Sequence, residues 1–246
     1  MRKVNIILIL ILFFLCSFKF PDEKEFLAQK IADVEVFDSK GNTYQISDLL
    51  GEKPVLISPI YTKCYSLCGV ISGGLQTAIN DIGTAGKDFY MISFSFDSTD
   101  TYLDLAEYEE RWKMDGKNWR VLSASGENII KLMESIGYEY DYIPDTKEYS
   151  HPSILITLTP SGRISRYVYG VNPKKKDIKI SVMEAMAEKT RPGLFIGFYL
   201  RCFGYDPALR TYKMDWRFIL STSAGLIMIT IMTRIFLKTF IISKDE

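Results

Sequence analysis

VLISPIYTKCYSLC, residues 55–68, is the stretch of the sequence that decides the fold. Its first part, Val55–Ile60, is almost entirely apolar, which is typical of a strand buried in the centre of a sheet. Cys64 and Cys68 follow directly, and apolar residues then recur at helical spacing as far as Ile79. The stretch therefore predicts a central strand that leads into a helix at a pair of cysteines.

Further strands and helices alternate on both sides of this stretch. The predicted elements are a hairpin over 34–44, strands over 89–96, 120–122, 153–159 and 163–169, and helices over 102–112, 128–136 and 175–189. This alternation indicates an α/β domain with a mixed sheet flanked by helices. Because its cysteines lie where the central strand runs into a helix, the predicted domain, residues 21–190, is thioredoxin-like.

Capping residues mark the ends of two of these helices. Asp100 or Thr101 is expected to cap the N-terminus of the helix over 102–112. Ser125 is expected to begin the next helix, since its hydroxyl can accept a hydrogen bond from the first turn. Gly137 is expected to end that helix, because glycine adopts the left-handed conformation common after a helix C-terminus.

The two ends of the chain are more apolar than the middle. Arg2 and Lys3 precede an apolar run over 6–15, the pattern of a secretory signal or N-terminal anchor within residues 1–20. A second run predicts a transmembrane helix over 218–238, reached through a connector over 191–217 and followed by a short cytoplasmic tail over 239–246. A buried core helix is the alternative for this run, and Arg234 and Lys238 disfavour it.

The charge balance and the apolar ends together predict where the protein works. Thirty basic and thirty acidic residues cancel, so no net field attracts nucleic acid. The apolar ends predict a membrane-anchored protein whose soluble domain faces the periplasm or another extracytoplasmic space.

The spacing of Cys64 and Cys68 places both thiols on one face of a helix. Their Cα atoms would be about 6 Å apart, a distance that allows either a disulfide or the binding of one soft metal ion. A purely structural disulfide is disfavoured, because it would close a very small loop and constrain the unfolded chain little. A helix N-terminus also lowers the pKa of a thiol and makes it reactive.

His151 is the only histidine of the chain, and it comes just before the strand over 153–159. A lone histidine is more often a surface or core residue than a ligand. In a thioredoxin-type sheet, however, the start of this strand is expected beside the cysteine helix. Two thiolates and an imidazole suit copper in either oxidation state, and zinc could use the same groups with a water molecule.

Several motifs together resemble the Sco/SenC family of copper proteins, which have a thioredoxin-like fold and assist the assembly of cytochrome c oxidase. They are TKCYSLC over 62–68, SFDSTDT over 95–101, YSHP over 149–152, LTPSGRISRY over 158–167, and Gly170. The stretch over 202–212 resembles the extension of a bacterial subgroup that ends in a membrane helix. The resemblance runs from about Ile31 to the predicted membrane helix.

The resemblance implies that Cys64, Cys68 and His151 are copper ligands. Asp97 and Asp100 match acidic positions of the family and are possible accessory residues, but an N-cap and a loop carboxylate are equally good interpretations.

Some residues depart from the family pattern or have no role in it. Tyr65 and Gly69 stand where many members have proline, as does Ser98, and this is expected to loosen the loop. Cys202 is interpreted as a buried structural thiol.

Two functions follow from these residues. The first is a copper chaperone that binds one copper ion and delivers it to the dinuclear copper site of cytochrome c oxidase, in subunit II or another copper-accepting oxidase subunit. The alternative is a thiol–disulfide oxidoreductase, in which Cys64 and Cys68 reduce the cysteines of that site or of other extracytoplasmic targets. A membrane-coupled sensor and a peroxidase fit the sequence less well. The protein would be an enzyme only if it is the thiol–disulfide oxidoreductase.

Overall fold

The central strand predicted from residues 55–68 is present and occupies Val55–Ile60. The computed structural model describes residues 20–63, 67–83, 85–190, 203–206, 211–214 and 216–236. The chain divides into two units between Arg191 and Pro192. Residues 1–19 of the predicted signal or anchor segment, Cys64 and Cys202 lie outside the described residues.

The first unit contains the elements that the alternating pattern predicted, with their ends shifted by a few residues. In chain order they are α1 (Glu23–Phe26), β1 (Glu35–Asp38), β2 (Thr43–Gln45), a 3₁₀ turn (Ile46–Leu49), β3 (Val55–Ile60), α2 (Leu67–Ile82), β4 (Tyr90–Ser95), α3 (Tyr102–Arg111), β5 (Trp119–Ser123), α4 (Gly126–Ser135), β6 (Asp141–Ile143), β7 (Glu148–Ser150), β8 (Ile154–Leu158), β9 (Ile164–Tyr169) and α5 (Lys175–Met186). Of these, α1, the 3₁₀ turn and the pair β6–β7 were not predicted.

One mixed sheet forms the centre of the first unit, with the strand order β2-β1-β5-β4-β3-β8-β9. Strands β3, β4 and β5 are parallel neighbours. The β1–β2 hairpin pairs antiparallel with β5 at one side, and β8 and β9 continue antiparallel from β3 at the other. Strands β6 and β7 form a separate antiparallel pair. The mixed sheet predicted from the sequence is therefore confirmed.

Both faces of β3 are buried, which explains its unbroken apolar pattern. Val55 belongs to a core cluster that includes Ile129 of α4. Leu56, on the opposite face, belongs to a second cluster with Ile79 of α2 and Ile178 of α5. Helices therefore cover the sheet on both sides, and this packing fixes the end of β3, from which the chain continues toward the cysteine pair.

The predicted helix ends are confirmed in detail. Thr101, and not Asp100, is the N-cap of α3, and its hydroxyl accepts a hydrogen bond from the backbone NH of Asp104. Ser125 caps α4 in the same way. Gly137 follows the last turn of α4 with φ +63°, a conformation that favours glycine. The first-unit fold thus follows local signals that the sequence carries.

The second unit contains a short antiparallel pair, β10 (Phe203–Asp206) and β11 (Thr211–Met214), and a helix, α6 (Trp216–Phe236). The β10–β11 pair lies in the stretch that was predicted only as a connector.

The transmembrane helix predicted over 218–238 is not found. Although α6 covers most of that range, no helix of the described residues is long and apolar enough to cross a membrane. The apolar run is bounded by Arg217 and Arg234. At 1.5 Å per residue, the stretch between them extends about 24 Å, less than the roughly 30 Å of a bilayer's hydrocarbon core.

Candidate metal centre

His151 lies beside the segment that leads from β3 toward the cysteine pair. Strand β8 pairs antiparallel with β3, with Val55 opposite Leu158. The residues just after β3 therefore meet those just before β8. Consistent with this, the rings of Tyr61 and His151 are in edge contact, with centroids 5.7 Å apart. The start of β8 therefore lies beside the segment that leads to Cys64, whereas its predicted position beside the cysteine helix stays a prediction.

Aromatic rings enclose the imidazole of His151, whose residue is only 8% exposed. The Phe96 ring contacts it edge-on at a centroid distance of 5.3 Å, and the Tyr138 ring lies 6.5 Å away. Tyr149 in turn packs edge-on against Tyr61 at 5.1 Å. These rigid side chains hold the imidazole in one orientation and limit its access to water.

The Nδ1 atom of His151 takes part in a buried hydrogen-bond group. It lies 2.9 Å from the hydroxyl oxygen of Tyr138 and 3.3 Å from the carbonyl oxygen of Pro152. The Tyr138 hydroxyl also donates to that carbonyl, at 3.0 Å. The side of the ring that carries Nδ1 is therefore held by the protein, as is usual for histidines that bind a metal through the other nitrogen.

The described residues show only part of the predicted ligand set. Cys68 is the second residue of α2, but the position of its thiol is not described. Cys64 lies outside the described residues. Among the residues that are described, no group of three or more His, Cys, Asp or Glu side chains is arranged to hold a metal ion. The three-ligand site therefore stays a prediction.

Asp100 is buried and holds the last described residues before Cys64. One of its carboxylate oxygens, Oδ2, accepts hydrogen bonds from the backbone NH of Thr62 at 3.1 Å and from Ser95 Oγ at 2.6 Å. The other, Oδ1, accepts from Thr62 Oγ1 at 2.7 Å and lies 3.3 Å from Lys63 Nζ. Asp100 is therefore neither an N-cap nor a free loop carboxylate, because it binds the two residues that precede the cysteine.

Lys63 is surrounded by carboxylates. Burial by itself would lower the pKa of Lys63, but Asp100, Asp104 and Asp97 outweigh that effect and raise the pKa above its ordinary value. The Lys63 side chain thus stays protonated next to Cys64 in the sequence.

Asp97 is also buried, but it serves a different loop. Its Oδ1 accepts hydrogen bonds from the backbone NH of Thr99 at 2.9 Å and from the Thr99 hydroxyl at 2.8 Å. Burial together with Asp97 raises the pKa of Tyr149 to about 12. Asp97 and Tyr149 line a surface cleft of about 310 Å³, together with Tyr61 and Lys63. This cleft opens beside the segment that leads to Cys64.

Sequence reasoning found His151, Asp97 and Asp100 but missed Tyr138. Tyr138 is thirteen positions from His151 in the chain, and the contact is made only because α4 ends beside the start of β8. The aromatic composition of residues 138–149 was the available signal, although it does not single out one ring.

These elements define a thioredoxin-like domain of mixed α/β architecture, with a buried histidine beside the approach to a cysteine pair. The family model SCO1/SenC matches residues 23–187. The chain therefore belongs to the SCO1/SenC family. No curated protein matches the chain.

Solved structures of similar fold cover about two thirds of this chain. An Aquifex aeolicus VF5 protein, described as a candidate electron transfer protein, is 34% identical over 65% of this chain and 95% of its own, with a TM-score of 0.62. Arabidopsis thaliana ScoI with copper bound is 20% identical over 64% of this chain and 98% of its own, with a TM-score of 0.55. BsSco is described as a Sco family cytochrome c oxidase assembly protein with a disulfide switch. It is 22% identical over 70% of this chain and 98% of its own, with a TM-score of 0.55.

Proposed function

We propose that this protein is a copper chaperone that binds one copper ion through Cys64, Cys68 and His151. The observation that carries the proposal is the placement of His151, whose ring contacts Tyr61 three residues before Cys64. The buried, hydrogen-bonded imidazole has the preorganisation expected of a ligand. Membership of the SCO1/SenC family and the copper bound in the Arabidopsis structure support the same assignment.

The donor set fits copper. Thiolate sulfur prefers Cu(I), and the mixed set of two sulfurs and one nitrogen also tolerates Cu(II). The N-terminus of α2 favours a thiolate at Cys68, since the helix dipole places partial positive charge there. Both cysteines must be reduced to bind Cu(I), so copper loading depends on the redox state of the pair.

Copper is cargo in this proposal, and its destination is the dinuclear copper site of cytochrome c oxidase, in subunit II or another copper-accepting oxidase subunit. The family model and the description of BsSco as an oxidase assembly protein support this partner. The cleft lined by Tyr61 and Tyr149 lies beside the segment that leads to Cys64, which supports docking of an acceptor on this side of the domain. Transfer would then occur by exchange of ligands between two soft sites.

Thiol–disulfide exchange is the second candidate function, and the place of Cys68 in the first turn of α2 favours it. The dipole of a sixteen-residue helix stabilises a thiolate there, and that thiolate could attack a disulfide of the acceptor site. The remaining cysteine of the pair would then resolve the mixed disulfide and release the reduced target.

We also propose that the domain works outside the cytoplasm, at the bacterial inner membrane. The basic residues Arg2 and Lys3 followed by the apolar run over 6–15 support export of the chain.

A Cu(I) titration of the reduced protein against a competing chelator tests the proposal. The variants are Cys64→Ser, Cys68→Ser and His151→Ala, and Cys202→Ser is the control for loss of a cysteine outside the pair. We expect one tightly bound copper per chain, lost or strongly weakened in the first three variants and retained in the control. If the wild type binds no better than these three variants, the chaperone function fails, and reduction of a disulfide substrate becomes the assay for the pair.

A further inference from the structure

The hydroxyl of Tyr138 joins two groups that flank it in a buried site. His151 Nδ1 is 2.9 Å from this oxygen, and the carbonyl oxygen of Pro152 is 3.0 Å from it. Tyr138 and His151 are only 3% and 8% exposed, so these contacts are made largely out of reach of bulk water.

The chemistry of the three atoms determines where the protons lie. The Pro152 carbonyl oxygen can only accept a hydrogen bond, and the Tyr138 hydroxyl has one proton to donate. If the hydroxyl donates to Pro152, its oxygen accepts the proton of His151 Nδ1, and both short contacts are hydrogen bonds. If the hydroxyl donated to Nδ1 instead, its 3.0 Å contact with the carbonyl would place two acceptors together. The first arrangement satisfies both contacts at once.

We propose that Tyr138 is a positioning residue that holds His151 in the tautomer with its proton on Nδ1 and its lone pair on Nε2. This inference rests on the proposed function, in which His151 is a copper ligand. A neutral imidazole binds a metal through the nitrogen that carries no proton. The hydrogen-bond partner of the other nitrogen fixes the proton there and so determines which nitrogen binds the metal. Tyr138 thereby makes Nε2 the ligating atom and fixes the plane of the ring.

Tyr138 itself is held rigidly by the end of α4. Its backbone NH donates to the carbonyl of Met133 at 2.9 Å, which closes the last turn of the helix. Gly137, immediately before it, has φ +63°, and a Cβ there would lie 2.6 Å from the ring of Phe26. The Tyr138 ring also packs against Phe96, with centroids 5.7 Å apart. The hydroxyl is therefore aimed at His151 by a helix terminus rather than by a free loop.

The test uses the fact that the chain has a single histidine. In ¹⁵N-labelled, metal-free protein at a pH where the imidazole is neutral, two-bond ¹H–¹⁵N correlation spectra show which ring nitrogen carries the proton. The variant is Tyr138→Phe, which keeps the ring and removes the hydroxyl. Tyr167→Phe is the matched control, because the buried Tyr167 hydroxyl also donates to a backbone carbonyl, that of Ile136 at 2.9 Å. Thermal unfolding checks that both variants fold.

We expect the proton on Nδ1 in the wild type and in Tyr167→Phe, and a mixture of tautomers or the Nε2-protonated form in Tyr138→Phe. Loss of such a partner typically weakens metal binding by about 10–100-fold, so the Cu(I) affinity of Tyr138→Phe should fall within that range. A wild-type proton on Nε2, or a Tyr138→Phe spectrum and affinity equal to those of the wild type, would overturn the inference. Because the spectra are recorded without metal, they decide the role of Tyr138 even if His151→Ala leaves copper binding unchanged and the proposed function fails.

Discussion

Asp100 shows how one buried carboxylate controls the approach to the cysteine pair. Its two oxygens accept hydrogen bonds from the backbone NH and the hydroxyl of Thr62, and Lys63 lies 3.3 Å away. The backbone of Thr62 is thus tied to the loop after β4 as well as to the end of β3. Since Cys64 follows two residues later, Asp100 is expected to limit the positions that its thiolate can take.

Replacing Asp100 by Asn tests this role. The amide keeps the size of the side chain but presents an NH₂ group where one oxygen accepts, and it removes the negative charge beside Lys63. We expect a loss of about 1–3 kcal/mol in the free energy of unfolding, because a buried hydrogen-bond group is left partly unsatisfied. Cu(I) affinity should fall several-fold as well. Urea unfolding and chelator competition measure the two effects.

Asp104→Asn is the control for the Asp100 variant. Asp104 also faces Lys63, at 3.8 Å, but its side chain is 28% exposed and accepts hydrogen bonds from the backbone NH and the hydroxyl of Thr101, the N-cap of α3. This variant should cost some stability and leave copper affinity close to that of the wild type. Equal copper affinities in Asp100→Asn and wild type would refute a positioning role for Asp100.

At the scale of elements, the ends of helices place the residues of the site. Gly137 ends α4 and Gly83 ends α2, with φ values of +63° and +70°. A Cβ at Gly137 would lie 2.6 Å from the Phe26 ring, whereas at Gly83 its nearest neighbour would be the Asn80 carbonyl at 3.8 Å. The two glycines share one backbone conformation and differ in the space around them.

Gly137→Ala should therefore be the more damaging of two similar substitutions. Backbone strain and the clash with Phe26 together should cost about 2–4 kcal/mol in the free energy of unfolding. Gly83→Ala adds only the backbone strain of a left-handed alanine, about 1–2 kcal/mol. Urea unfolding of both variants gives the comparison. Equal losses would mean that Phe26 yields to the added methyl group and does not fix the end of α4.

The elements also show what the sequence can and cannot predict. Strand β3 and helix α4 were predicted because their periodicity and caps are local signals. The β6–β7 pair was missed because Asp141–Ile143 is exposed throughout and has no alternating pattern. The hydrogen bond between Tyr138 and His151 was missed for a different reason, since it depends on packing between α4 and the start of β8.

At the scale of the whole molecule, the far edge of the sheet is joined to the closing helix by a buried ion pair. Arg166 of β9 donates through Nη2 to Glu184 Oε1 of α5 at 2.9 Å, and Glu184 is 3% exposed. Burial raises the pKa of Glu184 above its ordinary value, and Arg166 offsets that only in part. Two residues after α5, Glu188 accepts hydrogen bonds from the NH and hydroxyl of Ser161. Burial would raise the pKa of Glu188, but these bonds outweigh it and lower the pKa.

The two carboxylates should therefore give the stability of the whole domain opposite dependences on pH. The folded protein binds the proton of Glu184 more tightly than the unfolded chain does, so this contribution is complete below about pH 4 and is lost as the pH rises through the folded pKa. Wild type should lose stability relative to Glu184→Gln between pH 4 and pH 7.

The contribution of Glu188 has the opposite sign, because it is present above the unfolded pKa and is lost as the pH falls through the folded pKa. Wild type should thus gain stability relative to Glu188→Gln as the pH rises from about 3 to 5. Urea unfolding of the three proteins between about pH 3 and pH 7 checks both slopes. If wild type instead gained stability relative to Glu184→Gln as the pH rises, Arg166 would more than offset the cost of burying Glu184.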